Sequence, residues 1–477
     1  MKNGLIWFRQ DLRVSDNPAL CEAFKNSDKV AAIYIHDEMS KGVRKMGSAS
    51  KWWLHYALED LSKNLKDNYG IELYIFEGKA QPILEKLVKE NNINAIYWNR
   101  LYEPYHIERD KKIKEAALGI NCFSFNASLL NEPWEIKNGA GSYYKVFTSY
   151  YKFCLVNRKP REALRAPKAK VKGLEFRSKS LKIEDLKLRP TKPNWAKGFY
   201  KYWKVSEKAA QDNLYDFMEN RAANYTEERD FPIGEYTSKL SPYLHFGQIS
   251  PNQIVGVCNH FEAVNPKTKS GANKFISEVY WREFSYHLLF HHPIHEKNFN
   301  EKFDKFPWEK NAKGLKAWQK GLTGYPIVDA GLRELWHTGW MHNRVRMIVG
   351  SFLTKDLILH WKEGEEWFWD TLLDADLANN SASWQWVAGS GADASPYFRI
   401  FNPITQGEKF DAKGEYVKKW CPELKDMPDE FVHKPWEAPE LILKAAGVKL
   451  GKNYPLPIVN HKEARENALR AYARTKG

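Results

Sequence analysis

Over the first 130 residues, short apolar runs alternate with stretches whose apolar positions recur every three or four residues. The runs at 4–8, 30–36, 71–76, 93–98 and 121–125 read as strands, and the segments near 17–27, 48–66, 80–91 and 104–118 read as helices between them. Strands separated by helical periods predict a parallel sheet covered on both faces. Residues 131–203 lose both periods. Pro160, Pro167, Pro190 and Pro193 and the basic run at 168–172 mark a long surface connector, in which GSYYKVF at 141–147 is expected to be docked rather than free. From 204 onward helical periods dominate, as at 208–220, 273–290, 328–335 and 345–359, and predict one large helical domain ending near 470. The expected fold class is α/β plus all-α, with domains at 1–130 and 204–470 and the connector at 131–203. No internal repeat is present.

A chain of 477 residues exceeds one ordinary core, in keeping with that division. No run of about 18 apolar residues occurs, so no membrane-spanning helix is expected. The opening Met1-Lys2-Asn3-Gly4 passes straight into a strand, without the apolar stretch of a signal peptide. Cys21, Cys122, Cys154, Cys258 and Cys421 are scattered and form no CxxC pair. They give zinc or iron–sulfur ligation no support, so no metal is expected, and they fit a reducing, cytoplasmic compartment. With 73 Lys+Arg against 59 Asp+Glu the net charge is +14. This favours a polyanionic partner, because basic side chains on phosphates release counterions; a basic surface serving solubility is the plainer alternative.

Ten of the 19 tryptophans lie between Trp281 and Trp386, among acids, amides and arginines. Such density asks for a packed helical block or for a cavity that takes flat ligands. Phe275, Glu278, Trp281, Arg282 and Ser285 recur at helical spacing. There Trp281 can act as a stacking plate and Glu278 can reach polar ring edges, unless Glu278 is simply a surface acid. Asn343, Arg346 and Met347 share one face in GWMHNRVRM, while His342 points elsewhere and reads as structural. In DADLANN, Asp374 and Asp376 are a general acid/base pair, helix caps, or partners of Arg346 and of a ligand nitrogen; spacing alone does not choose. Thr237-Ser238-Lys239-Leu240-Ser241 can hold a pyrophosphate at a helix start or be a plain N-cap. The first loop has no GxGxxG, so a dinucleotide fingerprint of that kind is absent.

The strings GLIWFRQDLRVSDNPAL, RDFP at 229–232, TSKLSPYLHFGQIS at 237–250, WREF, TGYPIVDAGLREL, GWMHNRVRM, DADLANN and SWQWVAGSGADASPYFRIFNPITQGEKFD at 383–411 resemble the DNA photolyase/cryptochrome family. Over nearly the whole chain the resemblance is greatest to bacterial class I photolyases that repair cyclobutane pyrimidine dimers. It implies an N-terminal Rossmann-like five-stranded parallel sheet domain and a helical domain that holds FAD in a bent form. It further implies that Tyr225 and Thr237, Ser238, Lys239, Leu240 and Ser241 contact the adenosine and phosphates and that Phe275 flanks the cofactor. Arg346 and Asp374 would pair beside the isoalloxazine, with Ala375 and Asp376 close by, and Asn380 would face flavin N5 and favour the reduced anionic ring. Glu278 and Asn343 would hydrogen-bond the pyrimidine carbonyls, Met347 would pack by the dimer, and Trp281 and Trp386 would stack on it. Arg282, Arg344, Arg399 and Gln406 would contact the DNA strand. Trp308, Trp361 and Trp384 match the triad that passes electrons to photoexcited flavin, while Trp318, Trp336 and Trp340 read as structural.

The implied reaction is transfer of an electron from photoexcited reduced FAD to a flipped-out dimer and its return after the inter-ring bonds break. Two alternatives stand beside it: a blue-light photoreceptor, and repair of the (6-4) photoproduct, whose enzymes carry histidines near the positions of Asn343 and Met347. No long tail follows Gly477, which favours repair over signalling. The resemblance also implies an antenna pigment, a methenyltetrahydrofolate or a deazaflavin. The folate pattern has an Asn-Glu pair where this chain has Tyr105-His106, with His106 expected at the surface of a helix start, and Lys297 resembles a folate-contacting lysine. The expected partner is UV-damaged DNA, met in the nucleoid by a monomer without an obligate protein partner.

Overall fold

The first strand, β1 (Asn3–Phe8), is buried from its second residue to its last, as a central strand with both faces covered must be. The computed structural model describes residues 2–116, 119–168, 171–393 and 398–475. β1 leads through α1 (Pro18–Asn26) to β2 (Lys29–His36), α2 (Ser48–Tyr69), β3 (Leu73–Glu77), α3 (Ala80–Asn91), β4 (Ala95–Asn99), α4 (Pro104–Glu115) and β5 (Asn121–Phe125). The strands are parallel in the order β3-β2-β1-β4-β5, with Trp7 of β1 in register with Ile33 of β2 and Trp98 of β4. The five expected strands and four expected helices are all present, with ends shifted by up to a few residues. Leu5, Trp7, Ile33, Ile35, Leu84, Leu87, Ile96 and Trp98 form one apolar cluster between sheet and helices.

The connector is more ordered than its proline pattern suggests. It contains α5 (Phe147–Asn157), 3-10 turns at Pro133–Glu135, Ile183–Leu186 and Trp195–Lys201, and the two-residue β6 (Lys172–Gly173), which pairs with the start of β2. In α5 the buried positions Phe147, Tyr150 and Cys154 keep the helical period, but exposed Leu155 and Val156 blur it in the sequence. Residues 169–170 of the basic run, and 394–397 of the long C-terminal string, lie outside the described residues.

α6 (Glu207–Asn220), α7 (Tyr225–Glu228), α8 (Ser241–His245), α9 (Pro251–Val264) and α10 (Lys269–His291) follow. The chain then forms α11 (Ala312–Gln319), α12 (Pro326–Thr338), α13 (Asn343–Ser351), α14 (Trp361–Thr371), α15 (Leu377–Ala388), α16 (Pro403–Phe410), α17 (Glu415–Trp420), α18 (Glu440–Ala445) and α19 (His461–Arg474). The helix expected over 345–359 is instead α13 followed by a π-helical turn, Phe352–Asp356. That turn carries Lys355, fully buried, whose Nζ donates to the Ala388 carbonyl.

Two compact units result: Met1–Ala223 with Ser238–His291, and Asn224–Thr237 with His292–Gly477. The limits expected at 130 and 203 follow element type, whereas the compact units follow packing, so α6 and α8–α10 belong with the sheet. The second unit has its own apolar cluster, which includes Trp318, Val345, Val349, Trp361, Phe368 and Trp384. Among the described residues no helix is long and apolar enough to cross a membrane.

Candidate functional site

In the second unit, α13 begins at Asn343 because His342 turns its Nδ1 to accept from the Arg344 amide at 3.2 Å. Burial lowers the His342 pKa to about 4, so this imidazole is a neutral cap, as its structural reading requires. Asn343 is exposed at the helix start and Met347 is half-buried on the same face one turn on. Arg346 donates from Nε to the Met341 carbonyl at 2.8 Å and from Nη2 to Asp374 at 2.8 Å. Asp376 is the N-cap of α15, accepting from the Asn379 amide at 2.8 Å. The alternatives for the two acids are thus separated: Asp374 is the partner of a guanidinium and Asp376 caps a helix, with Ala375 buried between them.

Asn380, one turn into α15, is buried and donates from Nδ2 to both Glu365 Oε1 at 2.8 Å and the Glu365 carbonyl at 2.9 Å. Both partners are acceptors, so the NH2 end must face them and the amide cannot be reversed. Its Oδ1 takes no hydrogen bond among the described residues. Glu365 escaped the sequence reading: it sits in the run Lys362-Glu363-Gly364-Glu365-Glu366, where one buried acid looks like its solvated neighbours.

Of the three tryptophans of the expected electron path, the first is partly open to solvent and the other two are buried. Trp308 is half-buried, Trp361 is 1% exposed and Trp384 is 3% exposed. Trp308 lies edge-on to His360 at 5.1 Å, and His360 stacks at 5.5 Å on Trp361, whose Nε1 donates to Asn298 at 3.0 Å. Trp384 packs edge-on against Phe368 at 5.0 Å and Trp318 at 6.1 Å. It also presses on the Gly364 backbone, where a Cβ would come within 2.1 Å of the indole. Trp318 is fully buried and donates to the Val349 carbonyl, a structural role. Trp336 stacks on Trp367 and remains half-exposed. Trp386 is half-buried.

Also in the second unit, Tyr225 is buried under the Arg229 guanidinium at 5.3 Å, and Thr237 is half-buried. Arg344 pairs with Asp230 at 2.6 Å and lies 4.4 Å over the Phe410 ring, whereas Arg399 is exposed. Gln406, half-buried, has an Oε1 without a hydrogen-bond partner.

In the first unit, α10 carries buried Phe275, packed at 4.8 Å on Phe217, and half-buried Glu278, paired with Lys274 at 3.0 Å. One turn later the Trp281 indole lies flat on Phe147, with centroids 3.7 Å apart and planes 10° from parallel. One face of the indole is therefore held by protein. The 141–147 segment is docked as expected: Tyr143 stacks on His291 at 4.8 Å and the Tyr144 amide donates to His287 at 3.1 Å. Arg282 donates to the Ser128 carbonyl at 2.7 Å and lies over Tyr286, a structural duty the sequence did not suggest. Glu283 accepts from the amides of Leu130 and Asn131, and burial raises its pKa to about 7. Ser238, Lys239 and Leu240 precede α8 and Ser241 is its first residue; the N-cap is Leu240, without a side-chain cap, so none of the hydroxyls of this segment caps the helix. Lys239 has φ +51°, a left-handed conformation that L residues seldom adopt.

At the carboxyl ends of β1 and β4, where strand order reverses, Arg9 pairs with Asp110 at 2.6 Å and both Arg9 and Arg109 lie 4.8 Å from the Trp7 ring. His106 packs at 4.2 Å on Tyr105 and lies 3.6 Å from Glu103. Burial, with Arg109 and Arg9 nearby, holds its pKa well below the usual value. His106 is thus no ordinary surface residue: its side chain is only 13% exposed although Pro104 beside it is open to solvent. Lys297, in the second unit, is exposed, and its carbonyl accepts from Gln385.

Comparison with known proteins places these features. Residues 4–168 match the family described as DNA photolyase, and residues 275–474 match the FAD binding domain of DNA photolyase. The chain is 47% identical over 479 residues to a deoxyribodipyrimidine photo-lyase of Agrobacterium fabrum, covering 99% of this chain and 98% of the relative. It is 38% identical to cryptochrome-2 of Arabidopsis thaliana, covering 100% of this chain and 79% of the relative. A bacterial class III photolyase structure from Agrobacterium tumefaciens superposes with a TM-score of 0.95 at 46% identity, covering 100% of this chain and 98% of that one.

Proposed function

This chain belongs to the DNA photolyase/cryptochrome family, and on that premise we propose that it repairs cyclobutane pyrimidine dimers in DNA under blue or near-ultraviolet light. The chain carries the family's FAD-binding domain. Its residues suit the cofactor: the Arg346–Asp374 pair offers a fixed charge and acceptor, and the Glu365-locked amide of Asn380 offers only a carbonyl oxygen. That lock is the observation that carries the reading. A reduced flavin bears N5–H, a donor, whereas the N5 of oxidised flavin accepts, so an acceptor-only amide favours the reduced ring. When bound and excited by light, reduced FAD supplies the electron that splits the dimer.

The side chains do the placing. Glu278 and Asn343 hydrogen-bond the pyrimidine rings, the Asn343 amide donating to the carbonyls, where charge develops. Trp281 and Trp386 offer stacking faces, the first held rigid by Phe147, and Met347 packs apolar surface. Phe275, Tyr225, Ala375, Asp376 and residues 237–241 contact the cofactor. Arg344, Arg399 and Gln406, with Arg282 as a lesser contributor given its contact with Ser128, hold the DNA backbone without reading sequence. Trp308, Trp361 and Trp384 return the flavin to its reduced state and take no part in dimer splitting. The structural relative from Agrobacterium tumefaciens is a class III photolyase, which supports that class over class I. An antenna, folate or deazaflavin, is assigned to the first unit. UV-damaged DNA is the partner, met by a monomer in the cytoplasm.

The test is direct. Oligothymidine carrying cyclobutane dimers, mixed with reduced holoprotein, regains its absorbance near 260 nm under blue light, while a (6-4) photoproduct does not revert. If both lesions survive illumination although FAD is reduced and bound, light signalling, as the name of the Arabidopsis relative suggests, is the reading that remains.

A further inference from the structure

On the first unit, α2 carries His55 and Glu59 one helical turn apart, and the 3-10 turn Ile183–Leu186 of the connector brings Glu184 to the same spot. One ligand-capable atom from each of the three lies within 4.8 Å of the others. His55 is 1% exposed, yet neither ring nitrogen makes a hydrogen bond. The approach of Glu59 Oε1 to Nε2, 3.1 Å, is not aligned as one. An orphaned imidazole at this depth is costly in a folded protein unless something else satisfies it. Facing two carboxylates, what would satisfy it is a cation that takes nitrogen and oxygen ligands.

We propose that His55, Glu59 and Glu184 bind a divalent first-row transition ion, Zn2+ foremost, with water completing its shell. The three-ligand set of one imidazole and two carboxylates, two of them at i and i+4 on a helix, matches the chemistry of such ions. Bonds of roughly 2.0–2.1 Å at tetrahedral angles set ligand atoms about 3.3 Å apart. The Glu59–His55 approach already lies near that distance, and the remaining separations, within 4.8 Å, close by rotation of the exposed side chains of Glu59 and Glu184. Arg189, which donates to the Tyr56 hydroxyl at 3.1 Å, opposes a cation here, but two carboxylates outweigh one guanidinium. The lack of paired cysteines that argued against zinc bears only on thiolate sites. The ion would clip the connector to α2, and at a concentration 100-fold above its Kd it would lower the unfolding equilibrium about 100-fold. The inference does not depend on the light-driven activity.

The experiment uses untagged holoprotein stripped with a chelator and titrated with Zn2+ by calorimetry, and with Co2+ for its ligand-field bands. One equivalent is expected to bind, with diffraction at the zinc edge placing it beside His55. Because loss of an outer partner already costs on the order of 10–100-fold in metal affinity, removal of two direct carboxylates in Glu59→Gln/Glu184→Gln should weaken binding at least ~100-fold. That double variant, altered only at exposed positions, should fold, keep its FAD and lose the Zn2+-dependent rise in Tm. Unchanged affinity and stoichiometry in the double variant, or no uptake by the stripped protein, would overturn the proposal.

Discussion

On the function proposed above, a single amide at Asn380 selects the flavin form, and Glu365 sets its orientation. In Glu365→Gln the side-chain end offers a donor as well as an acceptor, so one of the two bonds that orient Asn380 is no longer obligatory, while the main-chain carbonyl of residue 365 still accepts. Loss of one hydrogen bond's worth of preference, about 1.4 kcal/mol, corresponds to ~30 mV for a two-electron couple. Glu365→Gln should therefore lower the FAD midpoint potential by about that much in spectroelectrochemical titration; an unchanged potential would show that the lock has no bearing on the cofactor. Parts of this arrangement were legible in the sequence. Arg346 was visible as a possible partner of one of the two acids of DADLANN, though spacing did not choose between Asp374 and Asp376. Glu365 was not, because burial of one acid among Glu363, Glu365 and Glu366 is set by what α15 lays against α14, and no local period reports that.

At the scale of elements, α14 meets α15 through Gly364, which gives the Trp384 indole its room. Gly364→Ala would push a methyl into that ring, and such overpacking costs typically 1–3 kcal/mol. The expected outcome is a lower Tm and slowed photoreduction of oxidised FAD, with dimer repair preserved once the flavin is reduced chemically. Photoreduction at the normal rate would place Trp384 outside the electron path. A second element-level consequence belongs to α10, whose Glu283 holds the start of the connector. Its pKa is about 7 folded against 4.5 unfolded, so the folded state binds more protons between those values. Stability from this group is then present below about 4.5 and lost as pH rises through 7, by about 3 kcal/mol in all. Glu283→Gln has no such titration, so its stability relative to wild type should climb over that window in chemical unfolding; a difference independent of pH would refute the assignment. The strands and most helices could be read from their periods. The helix α5 and the π-helical turn at Phe352–Asp356 could not, because exposed Leu155 and Val156, and a buried lysine, run against the pattern that periods rely on.

For the whole molecule, the order of secondary structure was readable while its division into compact units was not. α10 resembles the helices that follow it in composition, yet Arg282 and Glu283 spend their hydrogen bonds on the backbone at Ser128, Leu130 and Asn131, and this ties it to the sheet. Net charge is likewise a property of the whole, and +14 bears on affinity for DNA more than on fold. If phosphates are held by particular arginines, each contact neutralised contributes about 0.9 to the slope of log K against log salt on duplex DNA. Arg399 is exposed, so its replacement by alanine should leave folding and FAD content alone. Arg399→Ala should weaken binding to damaged and undamaged duplexes alike and reduce the salt slope by about 0.9, measured by fluorescence anisotropy across a salt series. A slope unaltered within error would mean that the basic surface acts only as a diffuse field, and that Arg399 touches no phosphate.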